Sequence, residues 1–196
     1  MVRRSSVMAD QPPLPEAKKR RYLVVGTSGA GKSTFAQALA AKLGARYIEL
    51  DAFYWGESWQ AVPHSQFESA VREASHGPCW VADGNYSAVR ELLWSRATDV
   101  IWLNYGRATV FSRVFWRTVS RGLLRTRLSH GNRESLRMAF LSRDSILLWA
   151  YTTFEKNRHK FSQLREDPHY AHLQWHEFRQ PRQARAFLLA VDEQDR

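Results

Sequence analysis

Gly26-Thr27-Ser28-Gly29-Ala30-Gly31-Lys32-Ser33-Thr34 places two glycines five residues apart and follows the second with lysine, serine and threonine. The stretch stands between the apolar run Tyr22-Leu23-Val24-Val25 and a helix-favouring segment, Lys32 to Leu43, closed by Gly44. That order of strand, loop and helix is the setting in which backbone N–H groups at a helix start cradle phosphate oxygens. Glycine lets the backbone close around the anion. Lys32 supplies a mobile point charge for the β- and γ-phosphates, and the Ser33 hydroxyl is a hard oxygen ligand for Mg²⁺. The reading makes residues 26–34 a binding loop for ATP with Mg²⁺.

Outward from the loop, short apolar runs alternate with helical segments. Tyr47-Ile48-Glu49-Leu50 reads as a second strand ending on Asp51, and Cys79 to Ala82 as a third ending on Asp83. Val100 to Leu103 reads as a fourth, and His172 to Phe178 as a fifth. Helices are expected over 64–74, 107–124, 134–156 and 182–191. Strands alternating with helices argue for an α/β fold with a mainly parallel sheet covered on both faces.

In open α/β sheets, ligands collect beyond the carboxyl ends of the strands, where Asp51 and Asp83 stand. Each is either a helix cap or turn residue, which aspartate favours, or a group for Mg²⁺ or acceptor chemistry. Asp83 is followed by Gly84, which admits close backbone approach, and by Asn85 and Tyr86, which add hydrogen-bonding groups. Asp51 precedes Ala52-Phe53-Tyr54-Trp55, an aromatic cluster that fits either ring stacking or core packing.

The phosphate loop, Ile48-Glu49-Leu50-Asp51 with Trp55 and Trp59, Asp83-Gly84-Asn85-Tyr86-Ser87 with Arg90 and Trp94, and Ile101-Trp102-Leu103 together resemble the adenylate-kinase-like P-loop proteins. Within that group they look like the topology-modulation proteins, over roughly Tyr22 to Phe187. The resemblance implies five parallel strands in the order 2-3-1-4-5 and a helical, arginine-rich lid at about 107–156. It implies that Lys32, Asp83, Arg117 and Arg121 carry phosphoryl transfer, with Ser33 and Asp83 at the metal. Asp51, Asn85, Tyr86 and Arg90 are the acceptor-site candidates. Where the subgroup usually carries an acid after the fourth strand, this chain has Asn104, which cannot bear a charge.

At 196 residues the chain suits one buried α/β domain, 21–196, preceded by a basic, proline-containing extension over 1–20 that lacks the apolar core of a secretory signal. A cytoplasmic location is expected, and no apolar run is long enough for a membrane span. A single cysteine, Cys79, rules out a disulfide within the chain and reads as a small core residue. The formal charge is +10. From Arg107 to Arg143 the basic residues are all arginine, with Arg113, Arg117, Arg121 and Arg125 recurring every four positions along one helix face. Like charges so stacked repel, so that face is either solvated or partnered by an anion.

Two functions fit these residues: an ATP-dependent kinase acting on a nucleotide or other small acceptor, and an ATP-binding protein that holds nucleic acid through its arginines and affects DNA topology. No helix-turn-helix, zinc-finger or RNA-binding signature supports the second. Replacing Arg117 and Arg121 by lysine separates them. Lysine keeps the charge and loses the planar fork of donors. A lid then loses turnover by about 1–3 kcal/mol in barrier, whereas a nucleic-acid surface is little affected. Kinetics and the salt dependence of DNA binding, measured on the same variants, read the difference.

Overall fold

The computed structural model describes residues 19–56, 60–124 and 146–191, with 117–124 and 146–152 described by backbone alone. Strands β1 (Arg20–Gly26), β2 (Arg46–Glu49), β3 (Cys79–Asp83), β4 (Asp99–Leu103) and β5 (Gln174–Phe178) form one parallel sheet in the order β2-β3-β1-β4-β5. Around it lie helices α1 (Lys32–Leu43), α2 (Leu50–Tyr54), α3 (His64–Ala74), α4 (Arg90–Trp94), α5 (Arg107–Leu124), α6 (Ile146–Glu166) and α7 (Pro181–Val191). The chain leaves β1 with β3 on one side and β4 on the other, a topological switch point that opens a crevice at the strands' carboxyl ends.

Both faces of the sheet are buried, which is why its central strands are continuous apolar runs. Leu23, Val25, Trp80, Ala82, Val100 and Trp102 point to one side, where α3 brings Phe67 and Val71 and α6 brings Phe161. Val24, Val81, Ile101 and Leu103 point to the other, against Phe35 and Leu39 of α1, Val110 and Val114 of α5, Phe154 of α6 and Ala184 of α7. In α3 the buried residues Phe67, Val71 and Ala74 fall on one helical stripe, so the period alone fixes its inward face. Gly44 ends α1 in the left-handed conformation, its N–H turned back to the carbonyls of Ala40 and Ala41. Among the described residues no helix is long and apolar enough to cross a membrane.

Three elements and one residue differ from the sequence reading. β2 stops at Glu49, and Leu50 and Asp51 open α2 instead, because Leu50 is buried beneath Gly84 and turns the chain. β5 starts at Gln174, since Leu173 closes a turn onto Tyr170. α6 continues beyond Lys156 to Glu166, with Phe154 and Phe161 two turns apart and both buried, and no proline arrives before Pro168. Residues 134–145, expected to begin this helix, lie outside the described residues. Cys79 is half-buried because it begins β3 at the sheet's amino edge, opposite Arg20.

Asn104 follows β4 and is structural here. Its N–H bonds the carbonyl of Phe178 at 2.9 Å, and its Nδ2 donates to Glu177 Oε1 at 2.8 Å. Burial raises the Glu177 carboxyl, but hydrogen bonds from Arg179 and Asn104 and the charges of Arg179 and Arg165 outweigh it, leaving the group below its ordinary value. A lowered folded pKa gives stability that is present at neutral pH and lost as pH falls through that pKa. Asn104→Asp sets a second carboxylate against Glu177 and is expected to destabilise the fold by about 1–3 kcal/mol at pH 7. Thermal melts check it: adding Glu177→Gln to the same chain returns most of the loss.

Candidate active site

The carboxyl ends of β1, β2 and β3 meet at one cleft of about 930 Å³, lined by 28–35 of the phosphate loop and α1, by Asp51, Tyr54 and Trp55, by 83–86, and by Tyr105, Arg113 and residues of α7. The loop's path depends on glycine. Gly29 has φ +82°, a left-handed value costly for other residues, and a Cβ there would collide with the Val114 side chain of α5. The loop therefore lies directly on α5. Lys32 Nζ donates to the Thr27 carbonyl at 3.2 Å, folding its charge back over the loop.

Parallel pairing sets Val24 of β1 and Glu49 of β2 on either side of Asp83, so the loop and two acids share one edge. Asp83 is 5% exposed. Its Oδ2 accepts from Ser33 Oγ at 2.6 Å, and its Oδ1 accepts from Tyr47 OH at 3.0 Å. Burial raises the Asp83 carboxyl above its ordinary range, and the hydrogen bonds from Ser33 and Tyr47 and the charge of Lys32 only partly offset this. Glu49 is raised too, by burial and by Asp83 and Asp51. Tyr47 is raised by burial and then by Asp83, so it stays a protonated donor. Gly84, at φ +135°, passes so close to α2 that a Cβ would lie 2.9 Å from Leu50 Cβ.

Beyond Gly84, Asn85 Nδ2 donates to the Gly26 carbonyl at 2.7 Å, tying this segment to the phosphate loop, while Asn85 Oδ1 is buried with no hydrogen-bond partner among the described residues. Tyr86 OH donates to Asp51 Oδ1 at 2.7 Å. Tyr86 packs on Tyr54 at 4.6 Å and Phe67 at 5.4 Å between ring centroids. The aromatic cluster thus serves both as core, through Phe67, and as cleft wall, through Tyr54, Trp55 and Tyr86.

Of the residues singled out in the sequence, Ser28, Gly29, Ala30, Gly31, Lys32, Ser33, Thr34, Asp51, Asp83, Asn85 and Tyr86 all line this cleft. Gly26 and Thr27 do not line it: the Gly26 carbonyl accepts from Asn85 Nδ2, the Thr27 carbonyl accepts from Lys32 Nζ, and Thr27 is buried. Arg90 lines a separate small hollow instead. Arg117 and Arg121 ride on α5 with side chains outside the described residues, where Trp59, Arg125, Arg133, Arg137 and Arg143 also fall.

Arg113, one turn before Arg117, belongs to the same four-residue repeat and does reach the cleft. It donates from Nη1 to the Ala30 carbonyl at 2.9 Å and stacks over Tyr105 at 5.1 Å. The repeat was the available signal for it. Tyr47 and Glu49 left no such signal, because only pairing across the sheet brings them to Asp83.

The donor set suits Mg²⁺, a hard cation that takes oxygen ligands: one hydroxyl, Ser33, and one buried carboxylate, Asp83, hydrogen-bonded to each other beside a lysine. Comparison with known proteins agrees on the fold. The model of the AAA family, ATPases associated with various cellular activities, matches residues 22–81, under a third of the chain. No curated protein matches the chain in sequence. Among solved structures, shikimate kinase from Bacteroides thetaiotaomicron aligns with TM-score 0.51 and 17% identity, covering 89% of this chain and 97% of that one. Shikimate kinase from Acinetobacter baumannii in complex with shikimate aligns with TM-score 0.50 and 18% identity, covering 92% and 94%. The five-stranded parallel sheet flanked by helices is the fold this chain shares with these two shikimate kinases.

A carboxyl whose pKa is raised on folding binds its proton more tightly in the native state. Its penalty is absent below the unfolded pKa and complete above the folded one, so stability falls as pH rises through that window. Asp83→Asn removes the penalty. The variant without nucleotide is expected to melt above wild type at pH 8, with the gap closing toward pH 4, as melts across that range would show.

Proposed function

We propose that this chain is an ATP-dependent phosphotransferase that moves the γ-phosphoryl group of ATP to a hydroxyl of a small acceptor. The observation that carries it is the Ser33–Asp83 hydrogen bond at 2.6 Å, which joins the phosphate loop to the strand whose continuation, Gly84 to Tyr86, walls the other half of the same cleft. A site that only stored nucleotide has no use for this second half, lined by Asp51, Asn85 and Tyr86.

In this reading the loop N–H groups and Lys32 hold the β- and γ-phosphates, and Ser33 and Asp83 hold Mg²⁺, which when bound neutralises phosphate charge. The acceptor oxygen forms a bond to γ-phosphorus as the bond from γ-phosphorus to the β–γ bridging oxygen breaks, and ADP leaves. Asp51 takes the hydroxyl proton. It faces the cleft and is held in place by Tyr86 OH, which burial and Asp51 itself keep protonated. Arg113 caps the loop at Ala30, and Arg117 and Arg121 close over the transferring group as a lid. The finer assignment to the topology-modulation subgroup of the adenylate-kinase-like proteins rests on the Asp83-Gly84-Asn85-Tyr86 run and the tryptophans around it.

The test is ADP release with Mg²⁺ across a panel of hydroxylated small molecules. Lys32→Ala is expected to cut turnover by about 10²-fold or more, because it removes a preorganised charge on the transferring group, and to weaken ATP binding while the fold survives. Wild-type turnover in that variant, or no acceptor-dependent ADP release by the unaltered chain, rejects the reading.

A further inference from the structure

Tyr47 reaches Asp83 from outside the cleft. It is not among the residues that line that cavity, yet its hydroxyl donates to Asp83 Oδ1 at 3.0 Å while Ser33 Oγ donates to Oδ2 at 2.6 Å. Strand geometry accounts for the reach. Side chains alternate along β2 and β3, and the pairing sets Tyr47 against Val81 and Glu49 against Asp83, so these four share the face that α1 covers. Tyr47 stands two residues short of the position opposite Asp83, an offset that the length of its phenol spans. The ring is half-buried against the cluster that holds Leu39 of α1 and Val81 of β3, which fixes where the hydroxyl ends. Glu49, directly opposite Asp83, cannot take over this contact, because an ionised carboxylate accepts and has no proton to donate.

The two hydrogen bonds divide the carboxylate between two elements. A hydroxyl has one proton and two lone pairs. The Ser33 proton is committed to Oδ2, which leaves the Ser33 lone pairs for a hard cation. That commitment holds only while Oδ2 faces Ser33, and the carboxylate torsion is intrinsically broad. A carboxylate held on one oxygen can turn away, whereas one held on both cannot. With Asp83 only 5% exposed, water has little access to replace a lost donor.

We propose that Tyr47 is a positioning residue for the metal pair: acting through Asp83, it holds Oδ2 on Ser33 and so keeps the two groups in the arrangement that takes Mg²⁺. The inference rests on the part of the proposed function that places nucleotide at residues 26–34 and Mg²⁺ at Ser33 and Asp83, and on no acceptor. It gives β2, an edge strand without a residue in the phosphate loop, a part in nucleotide binding.

The test reads metal dependence apart from turnover. A non-hydrolysable ATP analogue is titrated calorimetrically into the full chain, once in excess EDTA and once in saturating Mg²⁺, and the ratio of the two affinities is the gain from metal. Tyr47→Phe keeps the ring and removes the hydroxyl. It is expected to bind the analogue in EDTA as wild type does and to lose about tenfold of the gain from Mg²⁺, the loss of one hydrogen bond to a charged group. In the Asp83→Asn chain the same replacement is expected to leave the gain unchanged, because its route to the metal runs through the carboxylate. Thermal melts of each chain in EDTA show that the fold is kept. An undiminished gain in Tyr47→Phe, an equal loss of affinity with and without Mg²⁺, a further tenfold loss of gain in the Asp83→Asn background, or no gain from Mg²⁺ in the unaltered chain overturns the proposal. The expected metal dependence, together with no acceptor-dependent ADP release, supports the positioning role and rejects the phosphotransferase reading.

Discussion

Burial opposes a charge on Asp83, and the groups around it in the cleft are arranged to offset that opposition. The carboxylate is reached by two hydroxyls, Ser33 from the phosphate loop and Tyr47 from the neighbouring strand, which together fill one position on each oxygen. Neither is sufficient to restore an ordinary pKa. Under the proposed function a divalent cation would supply what the protein groups do not, because it favours the ionised carboxylate far more than a hydroxyl does. A site that is electrostatically incomplete on its own would gain more from a metal-bound nucleotide than a site whose charges were already balanced. The raised Glu49 beside it carries the same kind of burial penalty, increased by the charges of Asp83 and Asp51.

The loop residues 26–34 were legible because their function is local: a fixed spacing of glycine, lysine and hydroxyl within one strand–loop–helix unit. The sheet was legible for a related reason. Val24, Val81 and Ile101 and their neighbours are buried on both faces, so each central strand is a continuous apolar run that no surface helix imitates. What sequence could not supply was register. Tyr47 meets Asp83 because β2 pairs with β3 one strand away, and Glu177 meets Asn104 because β5 pairs with β4 across 73 positions of chain. Leu50 was assigned to a strand by its apolar character, and only the close approach of Gly84 turns it into the start of a helix. Arg90 was correctly placed after Asp83 in the chain, but three-dimensional packing puts it in the smaller hollow behind the cleft.

Asn104 illustrates how one substitution changes the work of a strand end. A carboxylate at that position would have faced Glu177, which already draws on Arg165 and Arg179 for its negative charge. The amide instead donates, so the ends of β4 and β5 are locked by a neutral-to-charged hydrogen bond in addition to the sheet ladder. The acids beside the phosphate loop, Glu49, Asp51 and Asp83, lie on β2, α2 and β3. Tyr105, just beyond Asn104, receives Arg113 over its ring, so this side of the cleft is aromatic and cationic while the opposite side is acidic.

That division of charge has a mechanical accompaniment. The Asn85 amide grips the Gly26 carbonyl at the foot of the phosphate loop, and Gly84 is pressed on Leu50 at the root of the helix that carries Asp51. The phosphate loop and the helix that carries Asp51 are therefore both tied to a short run of backbone, 83–86, whose two glycine-dependent or amide-dependent contacts leave little room for one to shift alone. Close-packed interiors transmit such shifts instead of absorbing them. A shift of Asn85 must pull on Gly26 as well, so the segment 83–86 and the phosphate loop are coupled through a single hydrogen bond of 2.7 Å. Under the proposed phosphoryl transfer, alignment of the γ-phosphoryl group with an incoming hydroxyl is a property of the sheet edge as a whole, which is the kind of positioning that such transfer depends on most.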